Sequence, residues 1–588
     1  MKKNATIIFV LVSGLLLSGC TNAPDPTKER IVTKDIYTTS DDDQQKVIKA
    51  GTMNLLYKAN ADIPYISLKD GADYINELRH ELVDKDYTIT LKQEDNKATY
   101  TSPDNAEAVF DLSNQTITYN DYSGLLNHIS PYKNTYALVS PNKDSSIHLL
   151  ENNYEKGKAF TINLKDYSQI DIYKHGEDYY LPLTTYNDLF INPTVMVNLI
   201  YRFDKLFFLG SDTPFAVEND EGDKVLTELG KAFYDKKDAN PTVSKAYAEY
   251  YYQNICLNFD YLYGVRGLKG RDYTSFDAYL SSKGYKEDML SGDVKKMDAA
   301  FAYATSYLED FHTTVGNFSP LYEYDTAEIS ESKYDQNKVK EEKEGNSFKI
   351  YRSITGAEYG FSVDETNRIA YIAFDNFSSV DEKALSKSSW TKEDLANSAT
   401  LFAYAYKEIT TKYLGKIDYV AVDLATNDGG AAEGMAYMLG ILLGKVSIEL
   451  QNPFDGSHAK ATYMLDINRD GSVDEKDVSL REYGLQIVFI DTHYAFSCGN
   501  ALPVLAKVNY PQNVTTIGET TGGGTCAVRA AYTALGSMYH VSGPQMISKR
   551  DKDNKLVNIE DGVAADIALD KKLTIVRNEV AKALHGQK

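Results

Sequence analysis

Ser497 lies between an apolar strand pattern and the start of a helix, a position from which a serine hydroxyl can attack a carbonyl carbon. The β-branched and aromatic run 486–490 predicts a buried strand, and residues 501–506 predict a helix whose first turn tolerates Pro503. Because amides at a helix N-terminus are free and favour negative charge, the amide of Cys498 can stabilise an oxyanion. The alternative is that Ser497 only caps the helix, which is a common place for serine.

His312 is the candidate proton acceptor for that hydroxyl. Apolar residues recur at intervals of three and four over 243–255 and again over 297–308, which predicts two helices whose aromatic residues form a packed core. His312 follows the second of these helices. A neutral imidazole can accept a proton, but a histidine after a helix can also be structural or a solvated cap.

A glycine turn lies between these two residues in the chain. The hydrophobic run 417–424 predicts a strand, Gly429 and Gly430 follow it, and residues 434–443 predict a helix. Glycines let backbone amides point into a cleft, although they also serve simple tight turns. The order of strand, glycine turn, helix, strand, serine turn and helix predicts an α/β unit with its sites at the carboxyl ends of the strands.

Five short motifs occur in the order of one protein family. They are Asp310-Phe311-His312-Thr313, Asp423-Leu424-Ala425-Thr426-Asn427-Asp428-Gly429-Gly430, Ser497-Cys498-Gly499-Asn500, Gly518-Glu519-Thr520-Thr521-Gly522-Gly523 and Asp561-Gly562-Val563-Ala564-Ala565-Asp566. Together they resemble the tail-specific protease family, which includes the C-terminal processing peptidases and the tricorn core protease. The resemblance covers residues from about 250 to the carboxyl terminus and implies an α/β serine protease core of the ClpP/crotonase type.

The chain departs from the processing peptidases of this family at the general base. Those enzymes use a lysine just after the Gly-Glu-x-Thr motif, where this chain has glycines at 522–524. The nearby Arg529 stays protonated and cannot accept a proton. The resemblance therefore implies the Ser–His branch, as in tricorn, with His312 as the base for Ser497.

Further site residues follow from the same resemblance. Glu560 lies before the Gly-Val motif, one residue from the place of the tricorn-like glutamate, and is the candidate third catalytic residue. The amides of Gly429 and Cys498 are the candidate oxyanion donors, with Gly430 as a substitute. The stretch from 312 to 368 has no PDZ pattern, so recognition of carboxyl-terminal tails is not implied.

A calcium-binding pattern lies between the glycine turn and the Ser497 strand, inside an insertion at about 452–482. A twelve-residue calcium loop needs oxygen ligands at fixed positions and a glycine at position six, here Gly471. The predicted ligand residues are Asp466, Asn468, Asp470, Ser472, Asp474 and Asp477. The loop resembles the dockerin type, which ends in aspartate. A bound Ca²⁺ would be structural, and the alternative is an ordinary acidic turn.

The amino terminus reads as a secretion signal. Residues 1–20 contain two lysines, an apolar stretch and Leu-Ser-Gly-Cys, which resembles a bacterial lipobox. The resemblance implies cleavage before Cys20, lipidation of its thiol and a protein held on the outer face of a cell membrane. The alternative is an uncleaved anchor helix. The polar residues 21–43 predict a flexible tether.

Length and composition predict several domains. The chain has 588 residues, 43% of them hydrophobic, which is more than a single hydrophobic core usually contains. We predict a β-rich domain at 44–215 with a diverged internal duplication, a helical segment at 216–320 and the protease core at 321–588. The net charge of −22 disfavours nucleic-acid binding. A disulfide between Cys498 and Cys526 stays open, because sequence does not give their separation.

These patterns favour an extracytoplasmic, membrane-anchored serine endopeptidase that hydrolyses peptides or unfolded proteins. The alternative from another class is a catalytically inactive surface lipoprotein that binds a ligand or peptide on a protease-like fold. The absent lysine and Asn500 fit that alternative. An envelope scaffold that holds glycan through its amino-terminal domain is a third option, and the sequence gives no partner for that domain.

Overall fold

The computed structural model describes residues 25–586 except 40–45, 83–86, 127–136, 142–143, 196, 211–212, 214, 219–223, 236–239, 269, 323–346, 349 and 356. The predicted signal peptide, with Cys20, lies outside the described residues. Within the described part of the chain, no helix is both long enough and apolar enough to cross a membrane.

The first part of the chain is rich in strands, as predicted. The strands are β1 (Arg30–Thr39), β2 (Val47–Tyr57), β3 (Tyr65–Ser67), β4 (Thr90–Gln93), β5 (Lys97–Thr101), β6 (Glu107–Asp111), β7 (Thr116–Tyr119), β8 (Ile147–Glu155), β9 (Phe160–Asn163), β10 (Tyr173–His175), β11 (Asp178–Pro182), β12 (Val197–Arg202) and β13 (Lys205–Gly210). The helices are α1 (Leu68–Leu82), α2 (Tyr122–Leu126), α3 (Leu183–Tyr186) and α4 (Asn192–Val195). One sheet has the order β10-β11-β3-β2-β1-β13-β12, and a second has the order β4-β5-β6-β7-β9.

The prediction of a flexible tether over residues 21–43 is wrong for β1. This strand lies inside the first sheet between β2 and β13. Its Ile36 is fully buried, whereas Asp35 forms an exposed ion pair with Lys49 of β2. When one face of a strand is solvated, only alternate residues need to be apolar. The polar composition therefore concealed a strand.

The two segments predicted to be related by duplication each form a strand followed by a helix. β3 continues into α1, and β11 continues into α3. The two strands pair antiparallel, with Ile66 opposite Leu181. Two similar strand–helix units therefore lie side by side in the first sheet, and their common origin stays a prediction.

The predicted helical segment follows a short hairpin. Its elements are β14 (Ala216–Glu218), β15 (Lys224–Leu226), α5 (Glu228–Phe233), α6 (Lys245–Tyr261), α7 (Phe276–Lys283), α8 (Lys286–Met289), α9 (Val294–Ser306) and β16 (Thr314–Asn317). Tyr251 of α6 and Phe301 of α9 belong to the same apolar cluster as Ile66 of the first sheet. The boundary predicted near residue 215 therefore crosses one continuous core.

The rest of the chain is an α/β core. Its strands are β17 (Gly360–Asp364), β18 (Ile369–Ala373), β19 (Tyr419–Asp423), β20 (Val446–Gln451), β21 (His458–Leu465), β22 (Gln486–Asp491), β23 (Val514–Gly518), β24 (Cys526–Tyr532), β25 (Met538–Arg550), β26 (Leu556–Asn558) and β27 (Ile567–Ala568). Its helices are α10 (Glu382–Leu385), α11 (Ser398–Glu408), α12 (Ala432–Leu443), α13 (Cys498–Asn509), α14 (Lys571–Thr574) and α15 (Arg577–His585).

Two sheets organise this core. The central one has the order β17-β18-β19-β22-β23-β27, and β18 to β27 in this order are parallel. Val422 and Ala421 of β19 pack into separate apolar clusters on its two faces. The other sheet has the order β16-β25-β20-β21-β8, with β24 and β26 paired to β25. Because β8 comes from the first part of the chain, this sheet joins the two halves.

Helix α13 begins earlier than predicted. It starts at Cys498, so Pro503 lies in its second turn and not in its first. The early start follows from the carbonyl of Ser497, which already accepts the amides of Asn500 and Ala501. Proline has no N–H, so the helix lacks one internal hydrogen bond at this point.

A buried ion cluster holds the carboxyl end of β19. Asp423 is fully buried and receives two hydrogen bonds of 2.8 Å from Arg352 and one of 2.9 Å from Arg577. Burial opposes ionisation of Asp423, but the charges of both arginines outweigh it and hold the pKa of the carboxyl below its usual value. The strand that leads to the glycine turn is thereby fixed.

The cluster predicts a large loss of stability in Arg352→Met. Removing one partner leaves a buried carboxylate undercompensated, which we expect to cost on the order of 3 kcal/mol. Arg368→Met is the matched control, because its pair with Asp418 is about 42% exposed at the arginine. Thermal unfolding should show a clear decrease of Tm in the first variant and little change in the second. Equal decreases in both would contradict the assignment.

Candidate active site

Ser497 sits on a strained turn and its hydroxyl is not used as a helix cap. Its backbone has φ 55° and ψ −121°, a left-handed conformation that non-glycine residues rarely adopt. Its amide donates to the carbonyl of Gly523, and its side chain makes no capping hydrogen bond. The alternative that this serine only caps the helix is therefore wrong, since the hydroxyl is left for another role.

Glycines crowd this turn because side chains would collide with it. A Cβ on Gly429 would lie 2.7 Å from Cβ of Ser497. A Cβ on Gly524 would lie 2.8 Å from the ring of Phe496 and 2.9 Å from the amide nitrogen of Ser497. The glycine turn after β19 and the glycines at 522–524 therefore both allow close approach to the serine.

One of the predicted oxyanion donors, the amide of Gly429, is already hydrogen-bonded within the protein. The amide of Gly429 donates to the side-chain carbonyl of Asn427 at 3.0 Å, so it is not free as predicted. The amides of Gly430 and Cys498 donate no hydrogen bond to any other described residue. The two residues are neighbours, because the thiol of Cys498 donates to the carbonyl of Gly430 at 3.2 Å. Of the three predicted donors, Gly430 and Cys498 are thus the two whose amides no other described residue accepts.

His312 comes to this turn from the loop after α9. Its ring packs against the ring of Phe496, the residue before Ser497, with centroids 4.7 Å apart. Both ring nitrogens are buried and have no hydrogen-bond partner among the described residues. In particular, neither nitrogen is hydrogen-bonded to the hydroxyl of Ser497. Its backbone is fixed by Asp310, whose carboxylate accepts the His312 amide at 3.1 Å. The structure therefore places His312 beside the turn of Ser497, without a hydrogen bond between the two side chains.

The environment of His312 favours the neutral imidazole. Burial lowers the pKa of His312 below its ordinary value, because the charged ring would lose its hydration. The negative charges of Asp310 and Glu560 act in the opposite direction but do not overcome it. A ring that is neutral near pH 7 can accept a proton from a serine hydroxyl.

Glu560 was predicted to be the third catalytic residue, which would bind the ring of His312. The structure does not place it there. One carboxylate oxygen accepts from Arg271 at 3.0 Å, and the other accepts the amides of Gly524 at 3.1 Å and Thr525 at 3.0 Å. Both oxygens are therefore committed elsewhere. Glu560 influences His312 by charge and holds the loop beside Ser497.

Arg271 is the site residue that the sequence did not reveal. It is almost fully buried, and besides Glu560 it donates to the carbonyls of Leu308 at 2.8 Å and Glu309 at 2.5 Å. It thereby links the loop that carries His312 to the glutamate that supports the serine turn. No spacing or motif marks this arginine, since its partners are backbone carbonyls and a distant glutamate.

The cysteines near the site are free thiols. Cys498 and Cys526 are buried and unpaired with each other, so the disulfide left open by the sequence does not form. Burial raises the pKa of Cys498 to about 12. A thiol of this kind is a poor nucleophile, so Cys498 is not a candidate for that role.

In the predicted calcium loop, the carboxylates accept hydrogen bonds from backbone amides of the loop itself. Asp466 accepts the amides of Asp470 at 3.1 Å and Gly471 at 2.9 Å, while Asp477 accepts that of Ile467 at 2.7 Å. Asp466 and Asp477 are 6% and 3% exposed. In the part of the chain that the structure describes, no three His, Cys, Asp or Glu side chains gather closely enough to hold a metal. The all-oxygen donor set of the loop suits a hard cation such as Ca²⁺.

Comparisons with known proteins give structural similarity at low identity. No protein-family model and no curated protein matches the sequence. A lipoprotein from Streptococcus agalactiae is similar over 59% of this chain and 98% of its own, with 13% identity and a TM-score of 0.33. A putative peptidase from Parabacteroides merdae is similar over 53% of this chain and 90% of its own, with 13% identity and a TM-score of 0.34.

A third similar structure is that of the tricorn protease. The similarity covers 91% of this chain and 62% of that one, with 11% identity and a TM-score of 0.31. Proteases and a lipoprotein are thus among the structural neighbours of this chain. Similarity this distant carries no argument about activity, so the chemistry is argued from the site itself.

Proposed function

We propose that this protein is a serine endopeptidase that hydrolyses peptide bonds in peptides or unfolded proteins. The observation that carries the proposal is the buried His312 ring, whose nitrogens are unpaired and which packs on Phe496 next to Ser497. The strained turn at Ser497 and the free amides of Gly430 and Cys498 support it. The α/β core belongs, in this proposal, to the ClpP/crotonase type.

The proposed reaction has two steps. The hydroxyl oxygen of Ser497 attacks the peptide carbonyl, His312 takes its proton, and the amides of Gly430 and Cys498 bind the oxyanion. His312 then passes the proton to the leaving amine, and an acyl-enzyme remains. Water, deprotonated by the same imidazole, attacks the acyl carbon, and the imidazolium returns this proton to the oxygen of Ser497 as the acid product leaves. Glu560 and Arg271 act by holding the two loops together.

We place the enzyme on the outer face of a cell membrane. The support is the lipobox-like segment that ends at Cys20, whose thiol would carry the lipid. Stable attachment needs two or more acyl chains, which lipidation of this kind supplies. No partner is assigned to the amino-terminal sheets.

We also propose that residues 466–477 bind a structural Ca²⁺. The loop supplies side-chain oxygens from Asp466, Asn468, Asp470, Asp474 and Asp477 and a backbone oxygen from Ser472. It lies between β21 and β22, and β22 leads directly to the serine turn. A bound ion would therefore stiffen the connection that feeds the nucleophile.

The rival function is peptide or ligand binding without hydrolysis. It is favoured by one observation: within the described residues, His312 has no hydrogen bond to Ser497 and none to Glu560. An unassembled proton relay of this kind fits a binding protein equally well. Covalent labelling distinguishes the two functions.

A fluorophosphonate probe should label the wild-type protein at Ser497. We expect no labelling in Ser497→Ala and a rate lower by about 10²–10⁴-fold in His312→Ala, because the base is lost. Ser386→Ala, which alters an exposed serine, is the control and should label like the wild type. Absence of labelling in folded wild-type protein, with or without Ca²⁺, would favour the binding protein.

The labelling rate should keep its plateau at mildly acidic pH. Because burial lowers the pKa of His312, the ring stays neutral at pH 6.5 and becomes protonated only below it. The rate should therefore fall with a midpoint below pH 6.5. His493→Gln, which removes a histidine that is 45% exposed, should leave that midpoint unchanged. A midpoint at or above pH 6.5 in protein that circular dichroism shows to be folded would oppose the proposed role of His312.

Calorimetry should detect one Ca²⁺ site that is lost in the double variant Asp466→Ala, Asp477→Ala. At a free Ca²⁺ concentration 100 times its Kd, binding should add about 2.7 kcal/mol to the unfolding free energy. Glu475→Ala is the matched control, because this residue lies in the same loop at a position that supplies no ligand. Equal binding by the double variant, or none by the wild type, would remove the site.

A further inference from the structure

A cleft of about 110 Å³ lies beside β24 and β25, and Ser497 is not among its lining residues. Its lining includes Tyr122, Asn192, Leu262, Phe454, Val528 and Arg529. Among these residues Arg529 is the one with a charged side chain, in a protein whose net charge is −22.

A bulge in β25 makes room for the cleft. Cys526 pairs with Met546 and Val528 pairs with Ser542, so Ala527 alone lies opposite the three residues 543–545. Gly543 starts this bulge, and a Cβ there would lie 3.1 Å from the carbonyl of Ala527. Bulges of this kind re-aim side chains and are frequent next to functional sites.

The guanidinium of Arg529 is held in place without a carboxylate. It donates to the backbone carbonyl of Asp188 at 3.2 Å, to the side chain of Asn192 at 3.3 Å and to that of Asn258 at 3.0 Å. Its Nε is buried and has no hydrogen-bond partner among the described residues. Three neutral oxygens position the group, and its charge is left without a direct ion pair in the part of the chain that the structure describes.

The acidic residue of this network, Asp188, is linked to Arg529 through the side chain of Asn258. Asp188 is fully buried, and its carboxylate accepts from Asn254 at 2.8 Å and from Asn258 at 2.7 Å. Burial raises the pKa of Asp188, and the charge of Arg529 opposes this without overcoming it. The charges of Asp188 and Arg529 thus act on each other at a distance, but no carboxylate among the described residues pairs directly with the guanidinium, which leaves the cleft suited to an anion.

The walls of the cleft are largely aromatic and apolar, so they favour an apolar group next to the negative charge of the ligand. Tyr122 and Phe454 meet edge to face with centroids 5.8 Å apart, and Leu262 and the half-exposed Val528 add apolar surface. A free inorganic anion would leave these walls unused. A carboxylate attached to an apolar chain uses both parts of the cleft.

The cleft lies along the strand that follows the serine turn. Gly523 accepts the amide of Ser497, and the chain continues through Thr525 into β24, which begins at Cys526 and contains Arg529. Because Gly523 and Gly524 have positive φ and are not extended, the six residues from Gly523 to Arg529 span at most roughly 20 Å. An extended peptide whose cleaved bond lies at Ser497 would therefore reach the cleft within about six residues.

We propose that the cleft at Arg529 binds a carboxylate of the peptide substrate within about six residues of the cleaved bond. The carboxylate is either the α-carboxylate of the carboxyl-terminal residue or the side chain of an aspartate or glutamate. This inference rests on the proposed peptidase function. It adds a binding site that fixes where the substrate lies relative to Ser497.

The test measures binding without turnover in a Ser497→Ala background. Three fluorescein-labelled octapeptides of alternating Ala and Gly ending in Phe are compared by fluorescence polarisation: one with a free carboxyl terminus, one amidated, and one amidated with Asp at position seven. We expect at least one acidic peptide to bind tenfold or more tightly than the neutral one. The acidic peptide that does so identifies the source of the carboxylate.

Two substitutions at the mouth of the cleft separate charge from shape. Val528 is 46% exposed, so the fold tolerates a longer side chain there. Val528→Glu should remove the preference for acidic peptides, because it adds a negative charge at the mouth of the cleft, whereas Val528→Gln, which has the same length without the charge, should retain it. Equal binding of all three peptides to folded protein, or a preference that Val528→Glu leaves unchanged, would overturn the inference. Labelling of Ser497 by the fluorophosphonate is independent of these outcomes, so the two proposals fail separately.

Discussion

The buried ion pair between Arg271 and Glu560 holds the candidate active site together. Arg271 binds the backbone of the loop that carries His312, and Glu560 binds the backbone of the turn whose preceding residue, Gly523, accepts the amide of Ser497. The two side chains are 1% and 4% exposed. A buried pair of this kind is costly to form and costly to break, and its best-supported use is to fix one arrangement among several. Here it fixes the loop of His312 relative to the turn of Ser497.

The site combines parts that come from two bodies of the fold. The histidine loop follows α9, whose apolar residues pack into one core with the amino-terminal sheets. The serine turn follows β22 of the central parallel sheet, whose two faces have their own clusters. The sheet that contains β8, β21 and β25 ties these bodies together. The amino-terminal half is therefore part of the framework that positions His312, and it is more than a spacer.

Sequence reasoning found the elements whose residues carry a local signal. The strand before Ser497, the glycine turn after β19 and the helical periodicity before His312 all follow from side-chain pattern, and the structure contains each of them. It failed where the role of a residue depends on how distant segments of the chain are arranged in space. Gly429 was the expected oxyanion donor, but Asn427 takes its amide, which only the folded turn reveals. Glu560 was assigned to His312 by motif order, whereas its carboxylate faces Arg271.

In the proposed reaction, the imidazole of His312 takes the proton of Ser497. A crystal structure of the protein with a peptidyl boronic acid tests this step, because the boron bonds to the serine oxygen and its own oxygens mark the oxyanion position. We expect a ring nitrogen of His312 at about 2.6–3.2 Å from the serine or boronate oxygen, and one boronate oxygen on the amides of Gly430 and Cys498. A boronate on Ser497 with His312 still packed on Phe496 and bonded to neither oxygen would contradict it.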